Sequence, residues 1–237
     1  MKQLAKKLII ARLNKKVKRL LAKNDVIIIG VTGSVGKTST KHAIGEVLGA
    51  TRKVRYSEDS YNTDIGIPLS LFGMKVPARL WDARAWQKIF KAIDEEIDNY
   101  KYDTVVLELA DDELAMMKSV LKIVQLNIGV ISGIAPVHMA RMKDMKTVVH
   151  DNWQIAAHAK TIMYNADNQA LRKKAYKTDT VGFGLKNGAV RFDKISRTKS
   201  GTLKAELHIG KNKKTIHTHM LGLQNLYSLL AAATVAD

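Results

Sequence analysis

The sequence predicts an α/β fold: a P-loop-containing, mostly parallel sheet with helices on both faces, plus a small antiparallel β-sheet near the C-terminus. Three observations predict it. Short apolar runs alternate with helical segments between residues 26 and 182, the rhythm of parallel strands buried on both faces. The first apolar run turns through Gly30, Gly33 and Gly36 into a helix. After about residue 188 the pattern changes to apolar–polar alternation with turns at Ser200-Gly201 and Gly210, as antiparallel strands require.

Each element has its own reason. Residues 3–23 read as a helix with Ile9, Ile10, Leu13, Val17, Leu20 and Leu21 on one stripe. Lys7, Arg12, Lys15, Lys18 and Arg19 occupy its other faces. Two readings of this basic amphipathic segment (1–25) stay open. The preferred one packs the stripe on the domain or on a partner domain; the other lays it on an anionic membrane, as a peripheral contact through residues 3–23. Strand 26–31 leads to a helix at 37–49, a short strand at 53–56 and a loop at 62–69. A helix at 84–99 carries Trp86, Ile89, Phe90, Ile93 and Ile97 on one face. Strands follow at 104–109 and 126–131, then a loop at 133–138 and a helix at 147–159. Strands at 161–164 and 179–182 complete the parallel series. Segments 189–195, 202–209 and 213–219 make the antiparallel part. His217 and His219 face one side of the last of these without a third ligand, and read as ordinary sheet residues. A final helix from Leu223 is still running at Asp237 with no stop signal, so a truncated domain is expected.

Composition narrows the class. A chain of 237 residues with 46% hydrophobic content suits one large α/β domain or two small ones. There is no cysteine, hence no disulfide framework and no thiolate nucleophile or ligand. No apolar run approaches the roughly 20 residues that span a bilayer, and the basic start lacks a signal-peptide core. The reading is cytoplasmic. The net charge of +17 favours anionic partners. Nucleic acid is disfavoured among them, because few aromatics accompany the basic stretches.

The loop at 30–40 reads Gly-Val-Thr-Gly-Ser-Val-Gly-Lys-Thr-Ser-Thr. Glycines let backbone N–H groups close on phosphate oxygens, and the helix N-terminus adds partial positive charge. Gly33, Ser34, Val35, Gly36, Lys37, Thr38 and Ser39 are the candidate cradle. Lys37 can reach the β- and γ-phosphates, and Thr38 can ligate Mg²⁺. The strict P-loop pattern asks for glycine where Val31 stands, so the loop is a variant. Glu108 ends a buried strand, where open α/β sheets put their ligands; beside a P-loop its natural partner is Mg²⁺. His138 follows another strand on the same expected edge. It is either a ligand for a second metal or a solvated loop residue.

Six motifs in order carry a resemblance. They are 30–41, Tyr61-Asn-Thr-Asp-Ile-Gly-Ile-Pro68, Val106-Leu-Glu108-Leu, Gly133-Ile-Ala-Pro-Val-His138, Tyr164-Asn-Ala-Asp167 and 222–233. Residues 26–237 resemble the central ATP-binding domain of the Mur ligases. They are most similar to the MurF type, which adds D-alanyl-D-alanine to the peptidoglycan precursor. The resemblance implies an ATP-dependent amide ligase. In that reading ATP phosphorylates a substrate carboxylate, such as that of a UDP-linked muramyl peptide, and an amino acid or dipeptide displaces phosphate from the acyl phosphate. It implies Lys37 on the transferred phosphate, Thr38 and Glu108 on one Mg²⁺, His138 on a second, and Asn225 beside the adenine. Three departures stand out. The family's carbamylated lysine, fourteen residues after the histidine, is Asn152 here. Its His-Asn before the last helix is Gln224-Asn225, with Ser228 at a later asparagine. The flanking UDP-binding and C-terminal domains are expected to lie outside this sequence, so the segment alone is expected not to ligate. Two alternatives remain: a catalytically weakened nucleotide-binding module of this fold, and a basic P-loop NTPase acting on nucleic acid.

Overall fold

The computed structural model describes residues 2–109, 121–122, 124–135, 144–172, 178–219 and 222–237. Helix α1 spans Lys2–Lys23, β1 Ile27–Thr32, α2 Lys37–Gly49, β2 Val54–Tyr56, α3 Gly66–Leu71 and α4 Ala83–Asp98. Then come β3 Thr104–Glu108, β4 Leu126–Ile131, α5 Met145–Trp153 with a 3₁₀ turn at Gln154–His158, and β5 Ala159–Asn165. The chain continues through α6 Gln169–Arg172, β6 Asp179–Gly184, β7 Val190–Arg197, β8 Leu203–Ile209, β9 Asn212–Thr218 and α7 Leu223–Ala236.

The strands form one nine-stranded sheet in the order β2-β3-β1-β4-β5-β6-β7-β8-β9. Pairing is parallel from β2 to β7 and antiparallel across β7-β8-β9. The antiparallel strands expected near the C-terminus are present. They continue the main sheet, because Phe183 and Gly184 of β6 pair with Val190 and Arg191 of β7.

β1 lies between β3 and β4, the strands that follow it on opposite sides. This reversal of strand order is the switch point at which open α/β sheets leave a crevice. The central strands are buried along almost their whole length, five of six residues in β1 and all five in β3. One face of the sheet is covered by α1, α3, α4 and α5, in a core containing Leu13, Ile28, Phe72, Phe90, Leu107 and Trp153. The other is covered by α2 and α7 through Ile44, Leu48, Leu226 and Leu230.

Local chemistry sets the helix starts. Asp82 caps α4 by accepting from the Arg84 and Ala85 N–H groups, and Asp144 caps α5 by accepting from Thr147 N–H. α1 takes the packed reading: Leu13, Val17 and Leu20 are fully buried. Among the described residues, no helix is long and apolar enough to cross a membrane.

Candidate phosphate and metal site

The loop between β1 and α2 turns through two glycines of positive φ, Gly33 (137°) and Gly36 (79°). A Cβ at Gly33 would lie 2.3 Å from Ser132 Oγ and 2.9 Å from the Gly133 carbonyl. Strand β4's exit is therefore packed directly on the loop. It also holds the loop's shape: Ser34 and Val35 N–H donate to Gly133 O, and Ser132 Oγ bonds Thr32 O and Val35 O.

Helix α2 begins at Gly36 with no side-chain cap. Its first-turn N–H groups, from Lys37, Thr38 and Ser39, thus point outward as a ready anion site. Lys37 Nζ folds back to Gly33 O at 2.6 Å. Ser34 Oγ is buried in the loop and, among the described residues, has no hydrogen-bond partner. A buried orphan donor in a glycine turn fits a phosphate oxygen.

Glu108 ends β3 with Val31 opposite it in register. It is 5% exposed. Its Oε2 accepts from Thr38 Oγ at 3.0 Å and Ser60 Oγ at 3.3 Å, and lies 3.3 Å from Lys41 Nζ. Lys41 also donates to Asp59 O at 3.0 Å. The structure brings Thr38 and Glu108 into direct contact. The lysine neutralising Glu108 was not anticipated; the one available signal was its place one turn after Lys37, on the helix face that carries Thr38. The Glu108 carboxylate and the Thr38 and Ser60 hydroxyls are hard oxygen donors of the kind Mg²⁺ takes, with the Lys41 ammonium paired to the same carboxylate.

The first turn of α7 closes over the same loop. Gln224 reaches Gly36, where a Cβ would sit 2.1 Å from its Nε2. Ser228 Oγ lies 3.2 Å from Thr40 Oγ. Asn225 is half-buried in that turn. Tyr227 OH donates to Asp167 Oδ2 at 3.0 Å. Asp167 is a hub that the sequence showed only as part of a motif. It accepts the N–H groups of Leu185, Lys186 and Asn187 and the Asn187 amide. Burial pulls its carboxyl upward, but these donors outweigh that and leave it below its usual value of 3.8. Burial and the Asp167 hydrogen bond push Tyr227 up to about 12.

His138 lies outside the described residues. Asn152 is fully buried, and its amide is committed: Oδ1 accepts from Thr32 Oγ at 2.9 Å and Nδ2 donates to Val148 O at 2.9 Å.

Fold and site together define a P-loop α/β protein whose loop, hydroxyl and carboxylate meet at the sheet's switch point. A family model of the Mur ligase middle domain matches residues 31–81 and 86–236, and the chain belongs to that family. Among curated relatives, the UDP-N-acetylmuramoyl-tripeptide--D-alanyl-D-alanine ligase of Synechocystis is 25% identical over 216 residues, 89% of this chain and 40% of that protein. The Bacillus subtilis ligase of the same name is 27% identical over 207 residues, 86% of this chain and 40% of that protein. The chain thus spans about two-fifths of the length of these relatives. The Thermotoga maritima MurF ligase, solved in complex with ADP, superposes with a TM-score of 0.76 at 22% identity, covering 95% of this chain and 48% of that one. MurF from Acinetobacter baumannii gives 0.73 at 19% identity, covering 94% and 45%.

Proposed function

We propose that this chain is the ATP-binding part of a ligase of the MurF type, acting in peptidoglycan precursor synthesis. The observation that carries the reading is the convergence of Thr38, Glu108 and the uncapped start of α2 at the switch point. Lys37 neutralises the transferring phosphate, and the α2 N–H groups hold its oxygens in place. Thr38 and Glu108 would hold Mg²⁺, which when bound neutralises charge between the β- and γ-phosphates. Phosphate passes from ATP to a substrate carboxylate, and an amine then displaces it from the acyl phosphate to leave an amide. The protein's share is positioning and electrostatic stabilisation, since the reaction needs little covalent help. Asn225 is the residue we assign to the base, as the family resemblance implies, and Asp167 ties its turn down through Tyr227. The proposed substrates are those named by the relatives: a UDP-linked muramyl tripeptide and D-alanyl-D-alanine.

The test is phosphate release from ATP with both substrates present. Release that requires both, together with an amide product, supports ligation. ATP binding without release under any carboxylate–amine pair would replace it with a second reading, a nucleotide-binding module. Asn152 is the observation behind that second reading. Its carbonyl already serves Thr32, and it cannot take a carbamate as the family's lysine does.

A further inference from the structure

α1 divides into two halves with different environments. Its inner stripe is in the core, and four of its cations are neutralised by the domain. Lys6 pairs with Asp64, and Lys16, Arg19 and Lys23 pair with Asp94 or Asp98. The outer face is unlike this. Leu4 and Leu8, one turn apart, are 64% and 63% exposed, and Trp81 is 43% exposed. Leu8, Ile9, Trp81, Trp86 and Phe90 line an apolar groove between α1 and the start of α4. Helical spacing puts Lys7, Lys15 and Lys18 on the same outward side as Leu4 and Leu8. All three are exposed, and among the described residues none has an acidic partner. Residues 2–23 contain nine Lys and Arg and no Asp or Glu. The segment before α4 adds exposed Lys75 and Arg79, and the first turn of α4 adds exposed Arg84.

We propose that this surface docks the protein on an anionic lipid bilayer. Leu4, Leu8 and Trp81 enter the boundary between headgroups and acyl chains, and the surrounding cations face lipid phosphates. Charge complementarity selects this occupant. A second copy would set one cationic surface against another, which opposes association. An anionic leaflet attracts each basic side chain and accepts a small apolar wedge. Tryptophan also concentrates at that boundary, where its ring is apolar on its faces and polar at its N–H.

The experiment is co-sedimentation of the full chain with phosphatidylcholine vesicles, and with vesicles that also contain phosphatidylglycerol, at low and physiological salt. Binding is expected to the anionic vesicles alone, weakening as salt rises. The double variant Leu8→Ser, Trp81→Ser should lower partitioning at least about tenfold by removing buried apolar area. The triple variant Lys7→Gln, Lys15→Gln, Lys18→Gln should flatten the salt dependence. Unchanged circular dichroism and nucleotide affinity in both variants show that the fold is intact. Three results overturn the proposal: equal sedimentation with both vesicle types, none with either, or full binding by the double variant. Self-association in solution that the double variant abolishes, without vesicle binding, would assign the surface to a second copy instead.

Discussion

Glu108 Oε2 and Lys41 Nζ stand 3.3 Å apart with side chains only 4% and 1% exposed. Breaking such a pair leaves an uncompensated buried charge. Lys41→Met should therefore cost about 3–5 kcal/mol of stability in metal-free buffer. If Mg²⁺ binds at Glu108, the cation should restore part of that loss. Urea unfolding with and without Mg²⁺ reads the difference, and an equal loss in both would take the metal away from Glu108. Lys37 presents the opposite case. It is half-buried at the mouth of the loop, so Lys37→Ala should abolish nucleotide binding with little change in melting temperature. Unchanged ATP affinity by calorimetry would remove its phosphate role. Both Lys37 and Thr38 were legible in the sequence because spacing within one turn fixes where they point. Lys41 was not, because its partner lies at the end of β3, 67 residues along the chain.

At the scale of elements, the loop and α7 are held by different means. Gly33 and Gly36 both have positive φ, but they are not equally replaceable. An alanine at Gly36 would meet the end of the flexible, exposed Gln224 side chain, leaving mainly the left-handed backbone cost of about 1–2 kcal/mol. An alanine at Gly33 would also strike the Gly133 carbonyl. Gly33→Ala should thus destabilise more than Gly36→Ala in chemical unfolding; the reverse order would mean the β4 exit yields easily. α7 is tied down through Tyr227 and Asp167. Tyr227→Phe should cost about 1 kcal/mol. Asp167 titrates lower in the folded state than its ordinary 3.8. Its contribution is therefore complete above about that pH and is lost as pH falls through the lower folded value. Asp167→Asn should flatten this acid limb of the stability curve, and a limb that stays unchanged would place the titration elsewhere. Tyr164-Asn-Ala-Asp167 was visible as a motif, with Asn168 next in the chain. Its work was not: Asn168 Nδ2 also bonds Ile134 O, 34 residues earlier in the chain.

At the scale of the molecule, α1 belongs to the same core as the sheet. Leu13 is fully buried in it, and Leu13→Ala should cost about 2–5 kcal/mol. For a chain of this size the melting temperature should fall about 2–4 °C for each kcal/mol. A shift near zero in a thermal melt would show α1 to be an appendage. By itself the sequence determined the α/β class, the alternation of elements and the phosphate loop. Those follow from short-range causes: apolar periodicity, glycine at positive φ, and a lysine and hydroxyl in the first turn of a helix. Tertiary structure alone decided the partners of the chemistry-bearing groups. Thr38 meets Glu108 across 70 residues, Thr32 meets Asn152 across 120, and Thr40 meets Ser228 across 188. It also decided that the inner stripe and four cations of α1 are used by the domain while Leu4, Leu8 and Lys7 face outward. Periodicity encodes which face of an element is buried. The strand order and register that bring two distant faces together arise only when the whole sheet is assembled, and that assembly is what makes a carboxylate, a lysine and a glycine loop into one site.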